Sequence, residues 1–196
     1  MYVFLTGPSG VGKSTALDRT LALLGVRPGG FRTGFAPDRT RLCLWPAWEA
    51  PDWSEEHTVA RMVQGRLTGD PEAFDRLGLR ILTESRTWAR LLVLDELGWL
   101  ERDAAAFRRA VRDSVAGELP VLGVIKPEPQ RAGTWLESLA QVPGGTVMTV
   151  DTVNRDSLPD LLADRFGKRM RAGMEKKQER AGTSDEGRKF AAGQGL

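Results

Sequence analysis

Tyr2-Val3-Phe4-Leu5-Thr6 runs directly into Gly7-Pro8-Ser9-Gly10-Val11-Gly12-Lys13-Ser14, and this junction decides the fold. The first five residues are apolar, aromatic or β-branched and stop at a Gly-Pro pair, so they predict a strand. The next eight satisfy the phosphate-loop pattern of Gly, four residues, then Gly-Lys-Ser. Lys13–Leu24 carries Leu17, Leu21 and Leu24 at helical spacing and stops at Gly25, which predicts a helix with a glycine C-cap. Strand, glycine loop and helix in immediate succession make an anion site. Glycines let the backbone turn tightly enough to aim several N–H groups at one point. The helix adds the positive end of its dipole there. A nucleotide's phosphates are therefore the expected ligand of Gly7, Pro8, Ser9, Gly10, Val11, Gly12, Lys13 and Ser14. Lys13 reaches the β- and γ-phosphates, and Ser14 offers a hydroxyl to Mg²⁺.

Outward from this loop, strands and helices alternate. Gly29-Gly30 predicts a turn, and residues 31–35 and 42–45 a small inserted β-hairpin turning near Asp38-Arg39. Trp45, Trp48 and Trp53, interleaved with prolines, predict a long loop packed over the core. Residues 58–65 and 71–87 are polar with helical periodicity. The second segment has Asp70 as N-cap, Pro71 as first residue and Gly78 as a point where it can break. Residues 91–94, 120–125 and 146–150 predict buried strands. Residues 104–116, 133–140 and 156–166 predict helices, the first with Phe107, Val111 and Val115 on one stripe. The expectation is α/β, a three-layer α/β/α sandwich of the P-loop NTPase kind with a mostly parallel central sheet.

Leu91-Leu92-Val93-Leu94 ends in Asp95-Glu96. A hydrophobic strand closing on an acid fits the magnesium-side (Walker B) partner of the loop (Walker A). Asp95 is then the metal acid, acting through water, beside Ser14. Glu96, one residue on, is placed to orient and deprotonate an attacking water. A plain helix entry is the alternative for the pair.

Composition removes other chemistries. Among 196 residues there is one histidine, His57, and one cysteine, Cys43. A disulfide scaffold is excluded, and a Cys/His metal site has too few ligands. His57 lies in a polar segment and is expected at the surface. Cys43 is expected to pack as a small hydrophobe. No apolar run approaches the roughly 18 residues of a membrane span. Met1–Gly7 lacks a basic leader pattern, so a cytoplasmic setting is the expectation. The sequence holds 28 Lys/Arg against 26 Asp/Glu, but residues 167–196 alone hold eight against four. The reading is a catalytic domain over residues 1–166 and a basic tail over 167–196, disordered or a frayed helix. Phe166, Met170 and Met174 at helical spacing carry the last helix into it. Only this tail suggests nucleic acid or a protein partner.

The order of segments resembles a known family. After the phosphate loop come Gly29-Gly30-Phe31-Arg32-Thr33, Asp95-Glu96-Leu97-Gly98-Trp99-Leu100-Glu101, residues 120–125 and Asn154-Arg155-Asp156-Ser157-Leu158-Pro159. Together they resemble the small nucleoside-triphosphatase family whose type member is called THEP1, over about residues 1–166. Leu97 and Leu100 stand where that family usually has Ile and Met, swaps that keep volume. The resemblance implies Lys13, Ser14 and Thr15 on phosphates and Mg²⁺, with Asp95 and Glu96 beside them. It gives Glu101 a motif position with a catalytic or a structural role. In P-loop folds the loop after the last strand lies near the nucleobase, so Asn154 and Arg155 border it, or the loop is a helix entry with Asp156 as N-cap. Arg32 faces a phosphate or solvent. Lys126 and Arg131 are candidates for charge stabilisation in cis.

The expected activity is Mg²⁺-dependent hydrolysis of nucleoside triphosphates (ATP, GTP, and CTP or UTP) to diphosphate and phosphate. With no evident arginine finger, turnover is expected at about 10⁻⁴ to 10⁻¹ s⁻¹. A nucleotide or nucleoside kinase is the alternative, and a nucleotide-dependent binding module the third reading.

Overall fold

Period-two alternation along three strands builds two cores at once. In β1 (Tyr2–Thr6), Val3 and Leu5 face one side and Tyr2 and Phe4 the other. Leu92 and Leu94 of β6 (Leu92–Leu97) share the side of Tyr2, while Val93 shares that of Val3. β7 (Val121–Ile125) divides in the same way. On the Val3 side, Leu17 of α1 (Lys13–Leu24) and Leu162, Phe166 and Met170 of α6 (Leu158–Ala191) close the core. On the Tyr2 side, Phe74, Leu77 and Ile81 of α2 (Pro71–Trp88) and Phe107 and Val111 of α3 (Ala105–Ala116) close the other. This computed structural model, which describes residues 1–191, is thus the expected three-layer sandwich.

One sheet of eight strands runs through it in the order β5-β4-β3-β2-β6-β7-β1-β8. The stretch β2 (Gly29–Phe35), β6, β7, β1 and β8 (Gly145–Thr149) is parallel throughout. Beyond β2 the sheet continues antiparallel through β3 (Arg41–Pro46), β4 (Thr58–Val63) and β5 (Arg66–Gly69). The expected hairpin is therefore larger than a hairpin, and its first strand belongs to the parallel sheet.

Residues 58–65 are strand and turn, not helix. Gln64 and Gly65 take φ of 49° and 75°, the pair of positive values that a tight two-residue hairpin turn requires. Gly29-Gly30 is not a turn but the start of β2. Gly30 has φ of 85°, and a Cβ there would stand 2.0 Å from the Val93 carbonyl oxygen, so the glycine admits β6 at close range. Gly78 does not break α2. A Cβ on it would meet the Phe107 ring at 2.1 Å, so its absence lets α2 and α3 approach. Asp70 caps α2 as expected, accepting the Ala73 N–H at 3.0 Å.

The helix expected at 133–140 is α5 (Trp135–Ala140), capped by Thr134, and a short α4 (Glu128–Arg131) precedes it. α6 starts at Leu158 and continues past Phe166 to Ala191; residues 192–196 of the expected tail lie outside the described residues. Asp156 does not cap it and instead lies 3.5 Å from Arg19. The tryptophans pack as expected: Trp45 on Trp53 at 5.0 Å and Trp48 on Trp88 at 5.1 Å, both edge-on. Cys43 is buried. Among the described residues, no helix is long and apolar enough to cross a membrane.

Candidate functional site

Parallel strands end on one edge, and in open α/β sheets that edge carries the ligand. Here the C-terminal ends of β1, β6, β7 and β8 and the outer half of β2 bring their following residues together.

The phosphate loop leaves β1. Gly7, Gly10 and Gly12 have φ of 140°, 76° and 110°, values that bar other residues without strain. Gly12 sits at the N-cap of α1, and its carbonyl accepts the Ala16 N–H at 2.8 Å. The amides of Lys13, Ser14 and Thr15 lie in the first turn and have no acceptor within the helix. Lys13 Nζ arches over the loop and donates to the Gly7 and Pro8 carbonyls at 2.9 and 2.8 Å.

β7 separates β1 from β6, so Asp95 and Glu96 stand two strand spacings, roughly 10 Å, from the strand that carries the loop. Ser14 bridges the gap: its hydroxyl donates to Asp95 Oδ1 at 3.4 Å. Asp95 is 6% exposed. Burial pushes its carboxyl up to about 6, against the Arg32 guanidinium and with help from the Glu96 and Asp18 charges. Arg32 pairs in register with Asp95 across β2 and β6 and places its guanidinium 3.6 Å from Asp95 Oδ2, with its other nitrogen on Asp18. It faces the site rather than open solvent.

Glu96 is half-buried. Its N–H donates to Thr33 Oγ1 at 3.1 Å, and its carboxylate meets Lys126 Nζ at 3.0 Å. The Asp95-Glu96 peptide bond is cis. Lys126 therefore joins the site, while Arg131 does not: its guanidinium donates to the Lys126 carbonyl at 3.1 Å. Thr33 and Asp18 escaped the sequence reading, because only the pairing of β2 with β6 brings the first to Glu96.

Glu101 is 3% exposed and accepts the Gly98 N–H at 2.6 Å. Burial raises its carboxyl to about 7, opposed by hydrogen bonds from the Gly98 and Glu101 amides and by Lys126. Its sign for stability matches that of Asp95. Each folded-state value lies above the ordinary one, so the folded protein holds a proton that the unfolded chain has released. The stability that these two groups contribute is greatest below the ordinary carboxylate range and is lost as pH rises through about 6 and about 7. For Glu101 the loss is on the order of 3 kcal/mol above its folded value. Glu101→Gln keeps the oxygen that faces Gly98 and removes the charge. Its melting temperature, followed from about pH 5 to about pH 8, declines less than that of the wild type and exceeds it at the upper end. An equal decline contradicts a buried, ionised Glu101.

After β8, Asn154 spends its amide on its own turn. Its Oδ1 accepts the Asp151 N–H at 3.1 Å and its Nδ2 donates to the Thr149 carbonyl at 2.8 Å. Arg155 lies across the phosphate loop, its Cδ 3.8 Å from where a Gly12 Cβ would stand. Trp99 is exposed beside Arg102. His57 is held on the antiparallel extension by Asp52 at 3.0 Å, apart from these residues. A cleft of about 540 Å³, lined by Arg86, Arg90, Pro120 and Met170, lies where β6 and β7 begin, at the other edge of the sheet. It includes none of the residues above.

Similarity to known proteins places the chain in a family and a fold. The chain is 27% identical over 187 residues to nucleoside-triphosphatase THEP1 of Methanosarcina acetivorans, covering 85% of this chain and 97% of that protein. It is 29% identical over 185 residues to the human cancer-related nucleoside-triphosphatase, covering 82% and 94%. The crystal structure of THEP1 from Aquifex aeolicus superposes with a TM-score of 0.70 at 21% identity, covering 85% and 99%, and so shares the fold. The profile of the NTPase family matches residues 2–163, most of the chain. By that match the chain belongs to the NTPase family.

Proposed function

We propose that the protein hydrolyses the β–γ phosphoanhydride of nucleoside triphosphates, ATP and GTP among them and CTP or UTP as well, with Mg²⁺. The observation that carries this reading is the convergence of Lys13, Ser14, Asp95 and Glu96 on one edge of the sheet. The donor set suits the metal. Mg²⁺ takes one or two protein oxygens and fills its octahedron with waters and phosphates. Ser14 Oγ and the buried Asp95 carboxylate, 3.4 Å apart, are such a pair. When bound, Mg²⁺ neutralises phosphate charge that develops as the bond breaks.

The chain's own residues do the rest. The loop amides and Lys13 hold the β- and γ-phosphates. Glu96 accepts a proton from water as its oxygen bonds to the γ-phosphorus and the β–γ bridging oxygen leaves with the diphosphate. Lys126 fixes the Glu96 carboxylate. The two-strand gap gives a phosphate and a water room between loop and acid. Asn154 and Arg155 border the nucleobase, with Arg155 a face that stacks on any base. Turnover is slow, about 10⁻⁴ to 10⁻¹ s⁻¹, the range of phosphate-loop enzymes that work without an arginine finger. Residues 1–166 carry the chemistry and 167–196 are an accessory extension. The setting is cytoplasmic.

Phosphate release from ATP, GTP, CTP and UTP, with Mg²⁺ and with a chelator in its place, tests this. Slow release from several triphosphates that stops with the chelator is the expected result. Release only on adding a nucleoside or monophosphate acceptor would make the protein a kinase. Tight nucleotide binding with no release would make it a binding module.

A further inference from the structure

Glu101 is a buried acid that the scheme above leaves without a task. Its setting supplies one. β6 pairs with β7 in register as far as Leu94↔Gly123, and the register then shifts before Leu97↔Ile125. The ladder therefore lapses at Asp95 and Glu96, the two acids that must be placed most closely. Irregularities of this kind re-aim side chains beside active sites. Other groups take over the anchoring. Thr33 of β2 accepts the Glu96 N–H. The Lys126 N–H donates to the Leu97 carbonyl at 3.2 Å. The Gly98 carbonyl accepts Trp135 Nε1 at 3.2 Å, and the Gly98 N–H is taken by Glu101 at 2.6 Å. The charged groups facing Glu101 are Lys126, after β7, and Glu96, on β6.

We propose that Glu101 is the positioning residue for Glu96: its grip on the Gly98 N–H, opposed by Trp135 on the carbonyl, fixes residues 96–98 where the ladder does not. The proposal rests on Glu96 being the acid that activates water. The Glu101 carboxyl oxygen, 2.6 Å from the Gly98 nitrogen, gives that buried main-chain N–H a short bond that nothing else nearby supplies. Displacing a catalytic group by about 1 Å costs up to about 100-fold in rate, so the clamp is worth a large factor in kcat and little in binding.

The test compares Glu101→Leu, Glu101→Gln and the double variant Glu96→Gln/Glu101→Leu, with turnover counted per nucleotide-binding site. Leu keeps the bulk and removes the acceptor; Gln keeps an acceptor oxygen. Glu101→Leu is expected to lose roughly 10- to 100-fold in kcat with nucleotide Kd within about twofold of wild type, and Gln to restore most of the loss. Because Glu101 acts through Glu96, the double variant is no slower than Glu96→Gln alone. Trp135→Phe, which frees the Gly98 carbonyl, gives a smaller loss of the same kind and stands in if the Leu variant does not fold. Unchanged kcat per binding site, a loss confined to Kd, or additive losses in the double variant overturns the proposal. Full activity in Glu96→Gln is a separate result, and it would instead remove the role of Glu96 itself.

Discussion

Glu96→Gln is expected to bind nucleoside triphosphate as the wild type does and to lose roughly 10²- to 10⁴-fold in kcat, the range for removing a general base. Glutamine matches glutamate in size, and the N–H contact to Thr33 Oγ1 belongs to the backbone, so the local structure stays. What disappears is the charge that holds Lys126 at 3.0 Å and that, in the proposed mechanism, takes the proton from water. Lys126 is partly exposed and can turn to solvent, so the fold tolerates the change. Phosphate release and nucleotide affinity, measured side by side, separate the effects. Wild-type kcat in the variant would end the assignment of Glu96.

Lys13→Ala strikes the substrate directly. Nζ crosses the mouth of the loop on two carbonyls and is the ammonium nearest the expected phosphates. Removing a charged partner from such a site costs about 2–4 kcal/mol, a fall in kcat/KM between about 30-fold and about 1,000-fold. The stem is partly exposed and packs little, so the melting temperature without nucleotide moves little. Nucleotide affinity equal to the wild type's would count against the whole site.

Local structure was legible in the sequence. β1, the loop and α1 were placed residue for residue, because one glycine motif, one apolar run and one C-cap glycine lie within 25 residues of each other. Asp95 and Glu96 followed from the apolar run before them. Residues 58–65 misled because Val59, Met62 and Val63 repeat at helical spacing, whereas the segment is β4, between β3 and β5, and only the Gln64-Gly65 turn marks the hairpin. Of the partners of the acids, Arg32 and Lys126 were weighed singly, and Thr33 and Trp135 were not singled out. Arg32, Thr33, Lys126 and Trp135 reach Asp95, Glu96 and Gly98 through the order of strands, which no local pattern encodes. Asn154 showed its residue type, but the turn that occupies its amide is tertiary.

Strand order also sets when the site can exist during synthesis. β1 leaves the ribosome well before both its neighbours, with Tyr2 opposite Val121 and Gly145. The run from β2 to β5 pairs with itself over short distances and can close early. At about 5–20 residues per second, the phosphate loop hangs from a largely apolar strand without its native neighbours for many seconds before β7 and β8 emerge to bracket it. The nascent chain thus carries an exposed apolar strand and the candidate phosphate loop side by side, and both are sheltered only when β7 and β8 arrive.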